Sequence, residues 1–204
     1  IDPISFTPDE LDFLVTEDGD KHAEEAFWNQ FSEADTVGSL IKPDPNLTRR
    51  LAGHLEGLDD GGDMFRSDTL DRAVKVVRQA EFLSRKHAVA VANPPYMGTK
   101  NMAALLADFA QVQYPDSKAD LFAMFIERCR GLVDSRGGLV AMITMHSWMF
   151  LASFERLRSK LLKSAPPVTM AHLGERAFDT IGGSVVSTTA FVLEEGRPGT
   201  RAGI

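Results

Sequence analysis

The sequence predicts an α/β fold: a largely parallel sheet with helices on its faces and a last strand running antiparallel, preceded by a helical and loop-rich acidic segment. Three observations carry this. From residue 67 onward, apolar runs of strand length alternate with longer stretches of helical periodicity. The last two runs, at about 168–173 and 185–193, have no helical stretch between them, so the last strand reverses against its predecessor. Before residue 67 the chain is dominated by turn signals: Asp2-Pro3, Thr7-Pro8-Asp9-Glu10, Glu17-Asp18-Gly19-Asp20, Pro43-Asp44-Pro45-Asn46 and Asp59-Asp60-Gly61-Gly62-Asp63.

Within residues 1–66, helical spacing covers about 21–33, where Trp28 and Phe31 supply apolar anchors, and about 47–58. The clustered acids match no calcium-loop spacing and read as solvated turns. Asp68 is the predicted cap of a helix running to about Arg85, with Leu70, Val74, Val77 and Phe82 on one side. Residues 88–92 are uniformly small and apolar and read as a buried strand. Ser117-Lys118-Ala119-Asp120 has the capping-box pattern, a hydroxyl followed three residues later by an acid. It opens a helix to about Val133 with Leu121, Phe125, Cys129 and Leu132 as its stripe. Gly137-Gly138 turns the chain into a strand at 139–144, and Ser153 begins a helix to about Lys163. Pro166-Pro167 and Gly182-Gly183 introduce the last two strands. The predicted organisation is an insert at 1–66, a catalytic half-domain at 67–195 and a linker at 196–204.

The 204 residues are 44% hydrophobic and 25% charged, enough apolar material for a core and not the make-up of a disordered chain. The single Cys129 forms no internal disulfide, which suits a reducing compartment, the cytoplasm. No apolar stretch has the length of a membrane span. A net charge of −7 argues against a general nucleic-acid binder but leaves room for a local basic groove. The chain opens on Ile1, and 196–204 has no closing element, so a piece of a longer protein is expected. His146 and His172 have no Cys or carboxylate at metal-ligand spacing, and no metal is assigned.

One tetrapeptide carries chemistry. The apolar run ends in Asn93-Pro94-Pro95-Tyr96. In open parallel sheets, ligands sit at the carboxyl ends of strands, and Asn93 lies just past one. An exocyclic amino group on a base is a poor nucleophile because its lone pair is delocalised into the ring. Two acceptors aimed at its hydrogens, the Asn93 side-chain oxygen and the Pro94 carbonyl, favour a pyramidal nitrogen and help remove its proton. Proline stiffens the backbone and holds the preceding residue extended, so these acceptors are placed before substrate arrives. Tyr96 offers a flat face to a base that has been extruded from its duplex.

Asn93-Pro94-Pro95-Tyr96 resembles the catalytic motif of the N6-adenine DNA methyltransferases. The resemblance continues through Asp120-Leu121-Phe122-Ala123-Met124-Phe125-Ile126-Glu127-Arg128-Cys129, the strand at 139–144, and Trp148. It extends to His172-Leu173-Gly174-Glu175-Arg176-Ala177-Phe178 and Thr188-Thr189-Ala190-Phe191-Val192, which look like the last core strands of gamma-class enzymes. The wording at 88–195 is most similar to the large methyltransferases of BREX (bacteriophage exclusion) systems. This implies the C-terminal part of a Rossmann-like, S-adenosylmethionine-dependent methyltransferase sheet, acting on adenine in double-stranded DNA alongside other phage-defence proteins, and no membrane. It implies Asn93, Pro94, Pro95 and Tyr96 as catalytic residues, with Asn93 also toward the cofactor. Phe178 and Phe191 are candidates for a second wall on the base, and Lys100 and Asn101 for DNA contact. The sequence departs from the family in one respect: no strand–Gly-x-Gly–helix precedes the motif, so the cofactor half of the site is expected upstream of residue 1 and the chain alone is expected to be inactive.

Two other functions share these residues. Methylation of a protein glutamine amide presents the same planar NH₂ to the same clamp, and a non-catalytic domain binding DNA or a defence partner needs no clamp chemistry at all.

Overall fold

The computed structural model describes residues 1–174 and 187–196. The chain divides into two compact units, 1–85 and 86–204. The first is helical: α1 (Pro8–Leu14), α2 (Lys21–Trp28), α3 (Ala34–Val37), α4 (Pro45–Leu55) and α5 (Met64–Ser84). Its acids start its helices. Asp20, Asp44 and Asp63 accept N–H bonds from the first turns of α2, α4 and α5, and Thr7 with Glu10 forms a capping box on α1. Trp28 and Phe31 are fully buried, with Phe6 and Phe27 edge-on to the indole.

Three expectations for this region are corrected. The segment at 7–10 is the start of α1 rather than a bare turn. The stretch at 21–33 is helical only to Trp28. The long helix is capped by Asp63, not Asp68, because Gly61 and Gly62 take positive φ (61° and 79°), which glycine adopts readily, and deliver Asp63 to the cap position. The buried face of α5 is a narrow line of Thr69, Ala73, Val76, Val77, Ala80 and Leu83, and Phe82 is 65% exposed.

The second unit holds a four-stranded sheet in the order β1 (Val89–Ala92), β2 (Leu139–Met145), β4 (Thr188–Glu194), β3 (Pro167–Gly174). β1 and β2 are parallel. β4 is antiparallel to both its neighbours, and its reversal against β3 is the one the sequence predicts. Residues 185–186 of the expected last strand lie outside the described residues. Helices α6 (Ala104–Gln113), α7 (Leu121–Leu132) and α8 (Glu155–Ser164) complete the unit. α6 was not anticipated; no side chain caps it at Ala103, so its start leaves no signal in sequence. Ser153 lies in a short 3₁₀ turn that precedes α8. One sheet face forms the core: Val140, Met142, Phe191 and Leu193 pack with Phe122, Ile126 and Cys129 of α7, Leu157 and Leu161 of α8, and Trp148 and Phe154. Cys129 is buried, which pushes its thiol pKa up.

β1 is not a buried strand. Val89 and Val91 are 51% and 79% exposed. Among the described residues β1 has a partner on one side only, and the apolar face opposite α7 and α8 lies open.

Candidate active site

Because β1 and β2 are parallel and β3 shares their direction through β4, three features fall at one edge of the sheet: Asn93 leaving β1, His146 leaving β2, and His172 near the end of β3. His146 Nδ1 and His172 Nε2 are 2.8 Å apart with stacked rings, within hydrogen-bond distance, and the tautomers decide which nitrogen donates.

Asn93 is exposed, and its side chain makes no hydrogen bond with any described residue. Pro94 is buried and Pro95 exposed. Tyr96 is half-buried, its ring edge-on to Phe122 at a 6.0 Å centroid distance and 83°. Its hydroxyl is buried without a hydrogen-bond partner among the described residues, and burial pushes the phenol's pKa up, so it stays neutral. An amide with no hydrogen bond to any described residue, followed by a rigid proline pair and a neutral aromatic ring, has the groups to accept from an amino group and cover a flat ring.

Lys100 and Asn101 follow in a short 3₁₀ turn and are exposed. Asn93, Pro94, Pro95, Tyr96, Lys100 and Asn101 therefore share one loop. Phe191 lies on β4 rather than in this loop: it is 2% exposed, packs edge-on to Trp148 at 5.2 Å, and belongs with Asn93 to the lining of one pocket. Phe178 lies outside the described residues.

Sequence reading missed what holds this loop. Asp120 is the N-cap of α7, accepting from Phe122 N–H, and the same Oδ1 accepts Met97 N–H at 3.0 Å. Leu121 N–H donates to the Met97 carbonyl at 3.0 Å. Thr99 N–H donates to the Ala119 carbonyl, and Thr99 Oγ1 to those of Lys118 and Ala119. The expected capping box at Ser117 is corrected: its hydroxyl donates to Glu127, and Asp120 does the capping. An Asp directly before an apolar helical run was the available signal. Burial raises the Asp120 pKa; the Met97, Phe122 and Leu121 N–H groups pull it down, and the net is above the ordinary 3.8.

Beside Asn93, a pocket of about 400 Å³ opens on the uncovered sheet face, floored by Val91, Ala141, Ile143, Ala171, Ala190 and Val192. Among the described residues its polar side chains are Asn93 and Thr169, and no described carboxylate lines it. A cofactor carrying a ribose and an amino-acid tail needs acceptors for its hydroxyls and ammonium. This lining does not fit such a group as a whole.

The model of the Eco57I restriction-modification methylase family matches residues 16–178. The adenine-specific methyltransferase BrxX of Escherichia coli O9:H4 (strain HS) is 42% identical over 172 residues, covering 83% of this chain and 14% of that protein. The adenine-specific methyltransferase PglX of Lacticaseibacillus casei (strain Zhang) is 50% identical over 120 residues, covering 59% of this chain and 10% of that protein. A solved structure from a type I restriction-modification system is 14% identical with a TM-score of 0.47, covering 95% of this chain and 42% of that one. The chain thus spans a small fraction of the length of these curated relatives.

Proposed function

The chain belongs to the Eco57I restriction-modification methylase family, and from that membership we propose that it forms the amine-holding part of a DNA adenine-N6 methyltransferase of a bacterial phage-defence system, with S-adenosylmethionine as methyl donor. One observation carries the reading: the Asn93 side chain stands exposed at the carboxyl end of β1, directly before two prolines, with no hydrogen bond to any described residue. A core-forming or loop-bracing Asn would have its amide engaged. The Asn93 oxygen and the Pro94 carbonyl accept the two hydrogens of the adenine amino group, and Tyr96 covers the extruded base. The names of the relatives, adenine-specific methyltransferases, agree with that substrate.

Double-stranded DNA is the partner on this reading, with Lys100 and Asn101 toward its backbone, other proteins of the defence system beside it, and the cytoplasm as the location. Among the described residues no helix is long and apolar enough to cross a membrane. The donor is held in the full-length protein chiefly by residues outside this chain, since among the described residues the pocket beside Asn93 offers only the Asn93 and Thr169 side chains as acceptors and no carboxylate.

The test is transfer of labelled methyl groups by the full-length protein to duplex DNA and, in parallel, to a glutamine-bearing peptide. Label at adenine N6 is expected, and no transfer from the 204-residue chain by itself. Label on the peptide alone turns the reading to a glutamine methyltransferase. Label on neither leaves a binding domain.

A further inference from the structure

The loop from Asn93 to Thr99 faces a mechanical problem. It leaves a strand that has a partner on one side only among the described residues. Two of its residues are prolines with no N–H to donate. Yet an acceptor pair for an amino group works only if its positions are fixed in advance. The observed solution is a clasp: 97–99 runs antiparallel to 118–121, closed by a bridge between Gly98 and Asp120.

We propose that Asp120 is the positioning residue of the Asn93–Tyr96 clamp, one carboxylate oxygen that starts helix α7 and at the same time fixes the backbone directly after Tyr96. The role rests on the amino-clamp reading above. The oxygen accepts Met97 N–H at 3.0 Å and Phe122 N–H at 3.3 Å. Phe122 is fully buried and packs edge-on with the Tyr96 ring. Asp120 thus ties the residue after the clamp and the residue packed on its aromatic ring to a common atom. A helix start favours a negative cap, but capping alone requires only one short oxygen. The second bond, to a residue 23 positions earlier in the chain, serves the loop.

Three substitutions in the full-length enzyme separate these duties. Asp120→Asn keeps an acceptor oxygen in place, and kcat for adenine methylation stays within a few-fold of wild type. Asp120→Ser caps as well as Asp, but its oxygen sits one bond closer to the backbone and does not reach Met97. Melting temperature then holds, while kcat falls roughly 10- to 100-fold with KM for DNA unchanged, the expected effect of a displaced reacting group. Amide exchange speeds up over 93–99 and stays slow over 121–132. Asp120→Ala loses both duties. A Ser variant with wild-type kcat, or with unchanged exchange over 93–99, overturns the role. So does an Asn variant as slow as Ala, which would make charge and not the hydrogen bond the active feature. A wild-type enzyme that methylates no adenine overturns the proposed function itself, and this role with it.

Discussion

The two units treat their polar side chains in opposite ways. Residues 1–85 carry 19 acidic against 9 basic residues, and residues 86–204 carry 10 against 13. In the first unit many acids have structural partners. Asp20, Asp44 and Asp63 start helices, Glu10 joins Thr7 and Arg72, and the fully buried Glu24 accepts from Thr16 N–H, Thr16 Oγ1 and Arg50. In the second unit Asp120 and Thr99 brace the clamp loop, while the Asn93 amide makes no hydrogen bond with any described residue. Acidity in 1–85 is therefore a folding device, and the place to look for chemistry is where a polar group on a rigid support has no partner among the described residues.

The largest expected effect tests that contrast at its sharpest point. Asn93→Ala in the full-length protein should lower the rate of adenine methylation by roughly 10²–10³, about 2.7–4 kcal/mol of lost transition-state hydrogen bonding. Because the side chain is exposed and makes no hydrogen bond with any described residue, stability should stay within about 0.5 kcal/mol of wild type. Steady-state kinetics and a melting curve give both numbers. Modification at the wild-type rate would remove Asn93 from the clamp.

The converse holds in the first unit. Arg50→Ala removes a donor from Glu24, whose carboxylate is entirely buried. A buried acceptor that loses one donor costs about 1–3 kcal/mol, and more when it is charged, with no effect on any bond in the clamp loop. Arg156→Ala in α8 is the control, since its side chain is 85% exposed and 3.9 Å from Asp116. It should shift stability by no more than about 0.5 kcal/mol. Denaturation midpoints compare the two; equal midpoints would mean that the Glu24 cluster is as weak as a surface pair.

What the sequence made legible follows the same divide between local and distant. The alternation after residue 67 and the reversal of the last strand against its predecessor follow from local patterns, and both reached the structure. So did the position of Asn93 at a strand end. The caps were half legible: Thr7-Pro8-Asp9-Glu10 carries both a capping box and a helix-starting Pro, yet among so many turn-forming acids it read as one more turn. Asp63 was hidden among neighbouring acids until two positive-φ glycines selected it. The Asp120–Met97 bond had no pattern to find, because a side-chain contact across 23 residues obeys no period. The exposure of β1 was equally out of reach. Val89-Ala90-Val91-Ala92 has the composition of a strand covered on both faces, while the described residues cover one.

The smallest expected effect sets two carboxylates against each other through pH. Burial raises the Glu10 carboxyl, but the Thr7 N–H, Arg72 and the Thr7 hydroxyl outweigh it and leave the folded pKa below the ordinary 4.5. The unfolded chain therefore takes up that proton first. Glu10 stabilises the fold fully above 4.5, and the contribution is lost as pH falls through the lower folded value. Asp120 has the opposite sign: burial leaves its folded pKa above 3.8, so the folded chain takes up the proton first. Stability rises as pH falls through that raised value and is lost as pH rises through it. Glu10→Gln should thus be less stable than wild type near neutrality, with the gap closing on acidification. Asp120→Asn should be at least as stable as wild type near neutrality, with its advantage shrinking on acidification. Each difference is under about 1 kcal/mol, since Glu10 is partly solvated and Asp120 keeps its N–H donors. Denaturation midpoints of the three proteins across the acid range measure both slopes. Slopes of the same sign would mean that the Asp120 carboxylate is stabilised by its donors more than it is penalised by burial, which would place it with the structural acids of the first unit.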